Sequence, residues 1–217
     1  MKPELKQNLK TVRYDYSMHQ LFEENINSNP IKQFSIWLKD AFDKGDDMAN
    51  AFSLSTIDEF NFPSSRVLLL RDVEDSGFTF FTNYESHKGQ DIERNSNVCS
   101  LFFWKELQRQ VRIKGTIKHL PTSDSEDYFH SRPRESQLAA LSSQQSQVIK
   151  NRNVLEERFI ELSKFYENKT IPCPQYWGGY ILNPIQIEFW QGRESRLHDR
   201  IQYTLDNQHW RIERLAP

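Results

Sequence analysis

An α+β fold, an antiparallel sheet closing into a barrel with helices around it, is what the sequence predicts. Runs rich in β-branched and aromatic residues recur along the chain. Helical patterns fall between them without the strand–helix–strand rhythm of a parallel sheet. Aromatics are plentiful, with fifteen Phe, eight Tyr and five Trp among 217 residues, which suits a β-rich core or a site for a planar ligand. At that length the chain can bury a substantial core as one domain.

Residues 1–16 are polar and aperiodic, so they read as an arm, with 17–217 as the single domain. A short helix is expected around 18–27. Pro30 suits the first turn of a second helix, with Ile31, Phe34, Trp37, Leu38, Ala41 and Phe42 on its buried face and Gly45 beyond its end. Ala51–Ile57, Arg66–Val73 and Phe78–Thr82 read as strands, the last two joined by a turn at Asp75-Ser76-Gly77. A short helix over Ser86–Asn95 opens beside His87 and Lys88, and Val98–Trp104 with Gln110–His119 reads as a hairpin. Thr122, Ser123 and Glu126 resemble a capping box, and Pro133 should end the helix it starts. Val148, Leu155, Phe159, Leu162 and Tyr166 predict a long helix over 147–167. Tyr180–Ile187, Leu197–Leu205 and Trp210–Leu215 then alternate as three closing strands.

The net charge of −2 gives no global drive toward nucleic acid or a membrane surface, so any phosphate site must be a local cluster. Cys99 and Cys173 match neither a zinc pattern nor a disulfide framework, and no metal is expected. The N-terminus lacks the apolar core of a signal peptide and no run is long enough to span a bilayer, which makes the cytoplasm the expected compartment.

Phe189 to Arg200 holds the densest chemistry. Arg196, His198 and Arg200 alternate with Leu197 and Asp199, so a strand would aim all three basic side chains one way, beside Trp190. Such a row suits an anionic aromatic ligand, and a solvated edge strand is the competing explanation. Arg66 and Arg71 bracket an apolar run and, at strand period, face opposite sides. Tyr128, Arg132 and Ser136 recur every fourth residue near a helix break, donors for a phosphate or simply a polar helix face. His87-Lys88 and Gln145-Ser146 are weaker anion candidates. Trp177-Gly178-Gly179 reads first as a turn with a core aromatic.

The order of these pieces resembles the pyridoxine/pyridoxamine 5′-phosphate oxidase family. The resemblance runs from Arg13 to the terminal Arg214-Leu215-Ala216-Pro217. It is carried by Arg66-Val67-Leu68-Leu69-Leu70, Phe81-Thr82-Asn83, Arg109-Gln110-Val111, Tyr128 through Arg134, Gln145-Ser146, Trp177-Gly178-Gly179, Ile187 through Gly192, and Arg196 through Arg200.

The resemblance implies a split β-barrel homodimer with FMN in each of two clefts between subunits. It assigns FMN contacts to Arg66, Val67, Leu68, Leu69, Leu70, Arg71, Phe81, Thr82, His87, Lys88, Gln110, Gln145, Ser146, Trp190 and Arg200. Arg71, Tyr128, Arg132 and Ser136 would hold the substrate phosphate. Arg196, Leu197 and His198 would border the pyridine ring, with Arg196 and His198 the catalytic pair. Arg13, Tyr14, Asp15 and Tyr16 would fold over the occupied site. The implied reaction oxidises pyridoxamine or pyridoxine 5′-phosphate at C4′ with molecular oxygen, giving pyridoxal 5′-phosphate and hydrogen peroxide. Arg71 stands where the family usually has lysine, His87 where it has arginine, Asp15 where it has glutamate, and Met48-Ala49 where it has Glu-Pro. The competing readings are a related flavin oxidase acting on a phenazine precursor, a non-catalytic flavin- or pyridoxal-phosphate-binding protein, and, more distantly, a nucleic-acid-binding barrel.

Overall fold

In the computed structural model, which describes residue 7, residues 10–11 and residues 16–217, the expected strand Arg66–Val73 divides in two. Its first part belongs to β2 (Pro63–Leu69), which pairs with β1 (Ala51–Ile57). Its second is β3 (Asp72–Glu74), which pairs with β4 (Gly77–Asn83). Asn50 holds the break, because its carbonyl accepts the Leu70 N–H at 2.8 Å while its side-chain amide donates to the Leu70 carbonyl at 3.0 Å. Arg71 N–H then donates to Thr79 O at 2.8 Å, already on the other strand pair.

The remaining strands are β5 (Asn97–Trp104), β6 (Arg109–His119), β7 (Trp177–Gln191), β8 (Asp199–Asp206) and β9 (His209–Arg214). Their order across the sheet is β2-β1-β5-β6-β7-β4-β3, with β8 and β9 branching from β7. β2 and β3 therefore lie at opposite ends of that order, yet only Leu70 and Arg71 separate them. So short a link forces the twisted sheet to curl until its two ends approach one another, giving a half-barrel. β7 makes the split. Its first half pairs with β4, its second half with β8, and β6 runs along its other side with a bulge at Lys114/Gly115.

Side-chain alternation fills the barrel. Phe52, Leu54, Phe102, Val111, Ile113, Phe189, Ile201 and Tyr203 point inward and are buried. Helix α1 (Pro30–Asp43) plugs one side, with Pro30 in its first turn and Asn29 accepting the N–H groups of Ile31 and Lys32. Phe34 packs edge-on to Phe78 and Phe102 at 4.9 and 4.8 Å, and Trp37 packs on Phe189 at 5.1 Å. Phe42, expected on the buried face, is instead exposed at the end of the helix.

Four more helices are seen among the described residues: α2 (His87–Arg94), α3 (Thr122–Ser131), α4 (Arg134–Ser142) and α5 (Asn153–Phe165). The last three share a second core of Phe129, Leu138, Leu162, Ile171 and Trp177.

Several expectations are corrected. The helix over 18–27 is a single 3-10 turn, Glu23–Asn25. The capping box does not form: Pro121 occupies the N-cap of α3 without a side-chain bond, and Ser123 bonds Asp124 instead. The helix over 147–167 begins only at Asn153, because its supposed first apolar contact, Val148, lies fully exposed. β8 starts at Asp199 rather than Leu197, since Ser195 and Arg196 take left-handed backbone (φ 56° and 61°) that no strand accommodates.

Candidate active site

The first cluster forms at the N-terminus of α2. Ser86 caps the helix and also accepts from Lys88 Nζ at 3.0 Å, while Gln145 Oε1 accepts from the same ammonium at 2.8 Å. His87 N–H donates to Ser146 Oγ at 3.3 Å. Lys88 is a buried cation resting on two neutral oxygens. Burial, reinforced by the Arg66 guanidinium, pushes its pKa down to about 8. Arg66 itself reaches the Thr56 hydroxyl at 2.8 Å and the Asp91 carboxylate at 3.9 Å. A helix N-terminus with two cations and several donors is built for an anion. His87, Lys88, Gln145, Ser146 and Arg66 thus converge.

The second cluster lies where β4, β7 and α3 meet. Phe81 stacks on Tyr128 at 3.8 Å and on Trp177 at 5.6 Å. Arg132 sits over the Trp177 ring at 4.7 Å, donates through Nη2 to Ser136 O at 3.0 Å, and has its Nη1 buried with no hydrogen-bond partner among the described residues. Tyr128, Arg132 and Ser136 do not share one helix face, because Arg132 is extended (ψ 153°) and Pro133 restarts the helix. The break brings Arg132 back onto Ser136 instead. Arg71 lines a cavity of about 490 Å³ with Thr79, Phe81, Tyr128 and Ser131. Gly178 and Gly179 make room for protein groups: a Cβ on Gly179 would fall 2.8 Å from the Phe81 ring.

The third cluster is at the far end of β7. Trp190 pairs with Gln110 on β6 and Arg200 on β8. Its indole lies 4.7 Å from the His198 ring, and Tyr16 packs edge-on to both at 5.6 Å. The Arg193 N–H donates to His198 Nδ1 at 3.1 Å, so the neutral imidazole carries its proton on Nε2. Burial, with Arg196 adding, lowers the His198 pKa, and Asp199 opposes them. Arg196 drops out of the row that strand alternation predicts, because its left-handed turn precedes the strand, whereas His198 and Arg200 both neighbour Trp190. Arg200 is held by Glu188 Oε1 at 2.8 Å and the Ala216 carbonyl at 2.8 Å, and the Glu188 carboxylate raises its pKa. Arg196 and Leu197 are exposed. Arg13, Tyr14 and Asp15 lie outside the described residues.

Strand register shows which expected residues share a surface. Val67, Ser53, Leu101, Arg112, Glu188 and Gln202 are successive cross-strand neighbours, and Phe103, Gln110, Trp190 and Arg200 form the parallel row two residues along. These residues occupy the sheet face turned away from the core. Val67 and Phe103 are 68% and 53% exposed there, apolar groups on an open surface. Leu68 and Leu70 point the other way, Leu68 opposite Phe52 and Leu70 into the core, and Leu69 and Thr82 are half-buried and buried. The sequence assigned no role to Ser86, Glu188, Gln108 or Asp199. Glu188 carried a signal, a lone acid within the apolar run Ile187 to Trp190, and it is buried between Arg112 and Arg200.

The second and third clusters lie far apart along β7. Phe81 pairs with Gly179 and Gln110 with Trp190, so they sit eleven positions apart on β7, roughly 35 Å of strand.

Comparison with known proteins gives two family matches. Residues 38–165 match the family described as pyridoxamine 5′-phosphate oxidase, and residues 177–217 match the pyridoxine 5′-phosphate oxidase C-terminal dimerisation region. A pyridoxine/pyridoxamine 5′-phosphate oxidase of Leptospira biflexa is 48% identical over 97% of this chain and 99% of the relative. One from Idiomarina loihiensis is 46% identical over 97% of this chain and 100% of its own length. Among solved structures, PhzG from Burkholderia lata 383, in complex with tetrahydrophenazine-1-carboxylic acid, superposes with a TM-score of 0.87 at 28% identity, covering 93% of this chain and 100% of PhzG.

Proposed function

The chain belongs to the pyridoxamine 5′-phosphate oxidase family, and from that premise we propose that two copies build each active site, where FMN and a phosphorylated B6 vitamer meet. The reaction is oxidation of pyridoxamine or pyridoxine 5′-phosphate to pyridoxal 5′-phosphate. The separation of the two half-sites along β7 carries the two-subunit reading. A second copy brings the Trp190 end of one chain to the Phe81 end of the other, and it covers the exposed apolar side chains of Val67 and Phe103.

The residues fit a flavin phosphate. The α2 N-terminus, Lys88 and Arg66 offer donors and charge, with Gln145 and Ser146 closing over them. Trp190, Gln110 and Arg200 offer an indole, an amide and a guanidinium on one face for the ring system and its polar edge. Bound FMN supplies the two-electron acceptor, with molecular oxygen the terminal oxidant.

The protein's part is placement. Arg132, whose Nη1 has no hydrogen-bond partner among the described residues, would grip the substrate phosphate with Tyr128, Ser136 and Arg71. His198 presents Nε2–H as a donor to the substrate ring while Arg193 fixes its other nitrogen. Arg196, lifted out by its left-handed turn, borders the ring from the rim. The relatives named as pyridoxine/pyridoxamine 5′-phosphate oxidases, at 48% and 46% identity, favour this reading over a phenazine precursor, since PhzG is 28% identical.

The test is the absorbance of the purified protein before and after anaerobic addition of pyridoxine phosphate. Flavin bands that bleach, with pyridoxal phosphate formed, establish cofactor and reaction together. A colourless protein that binds no added FMN would sink the reading.

A further inference from the structure

We propose that Gln108 is a positioning residue for this reaction: it latches the N-terminal segment so that the Tyr16 ring is held against Trp190 and His198. The inference rests on the proposed function for the meaning of that contact, but its geometry stands apart. Gln108 is 3% exposed, at a left-handed corner (φ 55°) before β6. Its side-chain oxygen accepts two backbone N–H groups, from Ser17 at 3.1 Å and Met18 at 3.3 Å. Its backbone carbonyl accepts from Gly192 N at 2.8 Å and from Gln191 Nε2 at 3.2 Å. One residue therefore grips both sides of a contact, the segment carrying Tyr16 and the glycine on which Tyr16 rests. A Cβ on Gly192 would lie 2.6 Å from the Tyr16 ring, so only glycine admits this approach.

The latch is braced from behind. Arg109 Nε donates to Gln191 Oε1 at 3.0 Å and Arg109 Nη1 to Asp40 at 2.7 Å, which ties Gln191 to helix α1. Further along the segment, Leu21 N–H donates to Asp199 Oδ2 at 3.1 Å, and Asp199 also binds Arg193 and Arg214. Segment 17–21 is thus stapled at two points, beside the loop bearing Arg196 and His198. Both Gln108 bonds use the side-chain oxygen alone, so a carboxylate can still accept them and a hydrocarbon cannot.

Three variants of the FMN-loaded protein test this. In Gln108→Leu, amide exchange at Ser17 and Met18 should speed up by on the order of tenfold or more while β7 amides stay protected. The KM for pyridoxamine phosphate should rise by about tenfold with kcat changed far less. Gln108→Glu should keep slow exchange and near-wild-type KM. Gly192→Ala, with Gln108 intact, should reproduce the KM rise by pushing Tyr16 off, so the inference stays testable if Gln108→Leu folds poorly. Unchanged exchange in Gln108→Leu would overturn the latch, and faster exchange with unchanged KM would overturn its positioning role. If the wild type oxidises neither vitamer, the proposed function fails while exchange still judges the latch.

Discussion

Lys88 keeps an ammonium buried on two neutral oxygens, a costly arrangement without an anion. Its folded pKa of about 8 lies below its ordinary value of 10.5. Between those values the unfolded chain holds a proton that the folded, ligand-free chain has shed. Stability of the apoprotein should therefore rise with pH across that window. Anion binding runs the other way, since it needs the charged form. FMN affinity should fall as pH climbs past about 8, and Lys88→Met should flatten both trends. Urea midpoints of apoprotein and fluorescence titrations with FMN, each as a wild-type minus variant difference, check this. A wild-type affinity that is level with pH would remove Lys88 from the phosphate site. Residues at the other end separate by role. Arg200→Met should lose FMN, while His198→Asn and Arg196→Met stay yellow but reduce flavin more slowly, on the order of 10²-fold. FMN occupancy and anaerobic reduction rates decide, and loss of FMN from His198→Asn with normal reduction of what remains would reverse the assignment.

At the scale of elements, Ser86 does two jobs, capping α2 and supporting Lys88. Ser86→Ala should cost about 1 kcal/mol of stability through the lost cap and also weaken FMN binding. Ser86→Thr, keeping the oxygen, should restore most of both in thermal melts and FMN titrations. Elements whose two faces differ in polarity were legible in the sequence: Ala51–Ile57 forms as expected because every second side chain is buried. Others were hidden by single-residue backbone choices. Nothing in the Ser195-Arg196 pattern announces left-handed geometry, so alternation wrongly extended the row of His198 and Arg200 to Arg196. Likewise Asn50, distant in sequence, cuts the apolar run at Leu70. The candidate site was legible mostly through the family resemblance. Helix-start position flagged Lys88 and His87, but no local pattern joins Gln145 to Lys88 or Glu188 to Arg200, since long-range packing makes those pairs.

At the scale of the molecule, the sheet places the Phe81 end and the Trp190 end of β7, which we propose grip the phosphate and face the pyridine ring, roughly 35 Å apart along the strand. Complementation between subunits tests whether two chains share each site. Arg132→Met and His198→Asn damage different ends, so either homodimer should be nearly inactive. In a hybrid dimer, sites shared across the interface sort the lesions: one site receives both damaged ends and the other receives two intact ones. Random mixing makes about half the dimers hybrid, each with one working site, so the mixture should recover roughly a quarter of wild-type activity. Sites built within one chain would each keep a lesion, and mixing would recover nothing. Refolding the two variants together, against each refolded alone, gives the measurement. Recovery near zero, with hybrids verified by mass, would mean that both ends of the site come from one chain, contrary to the β7 geometry.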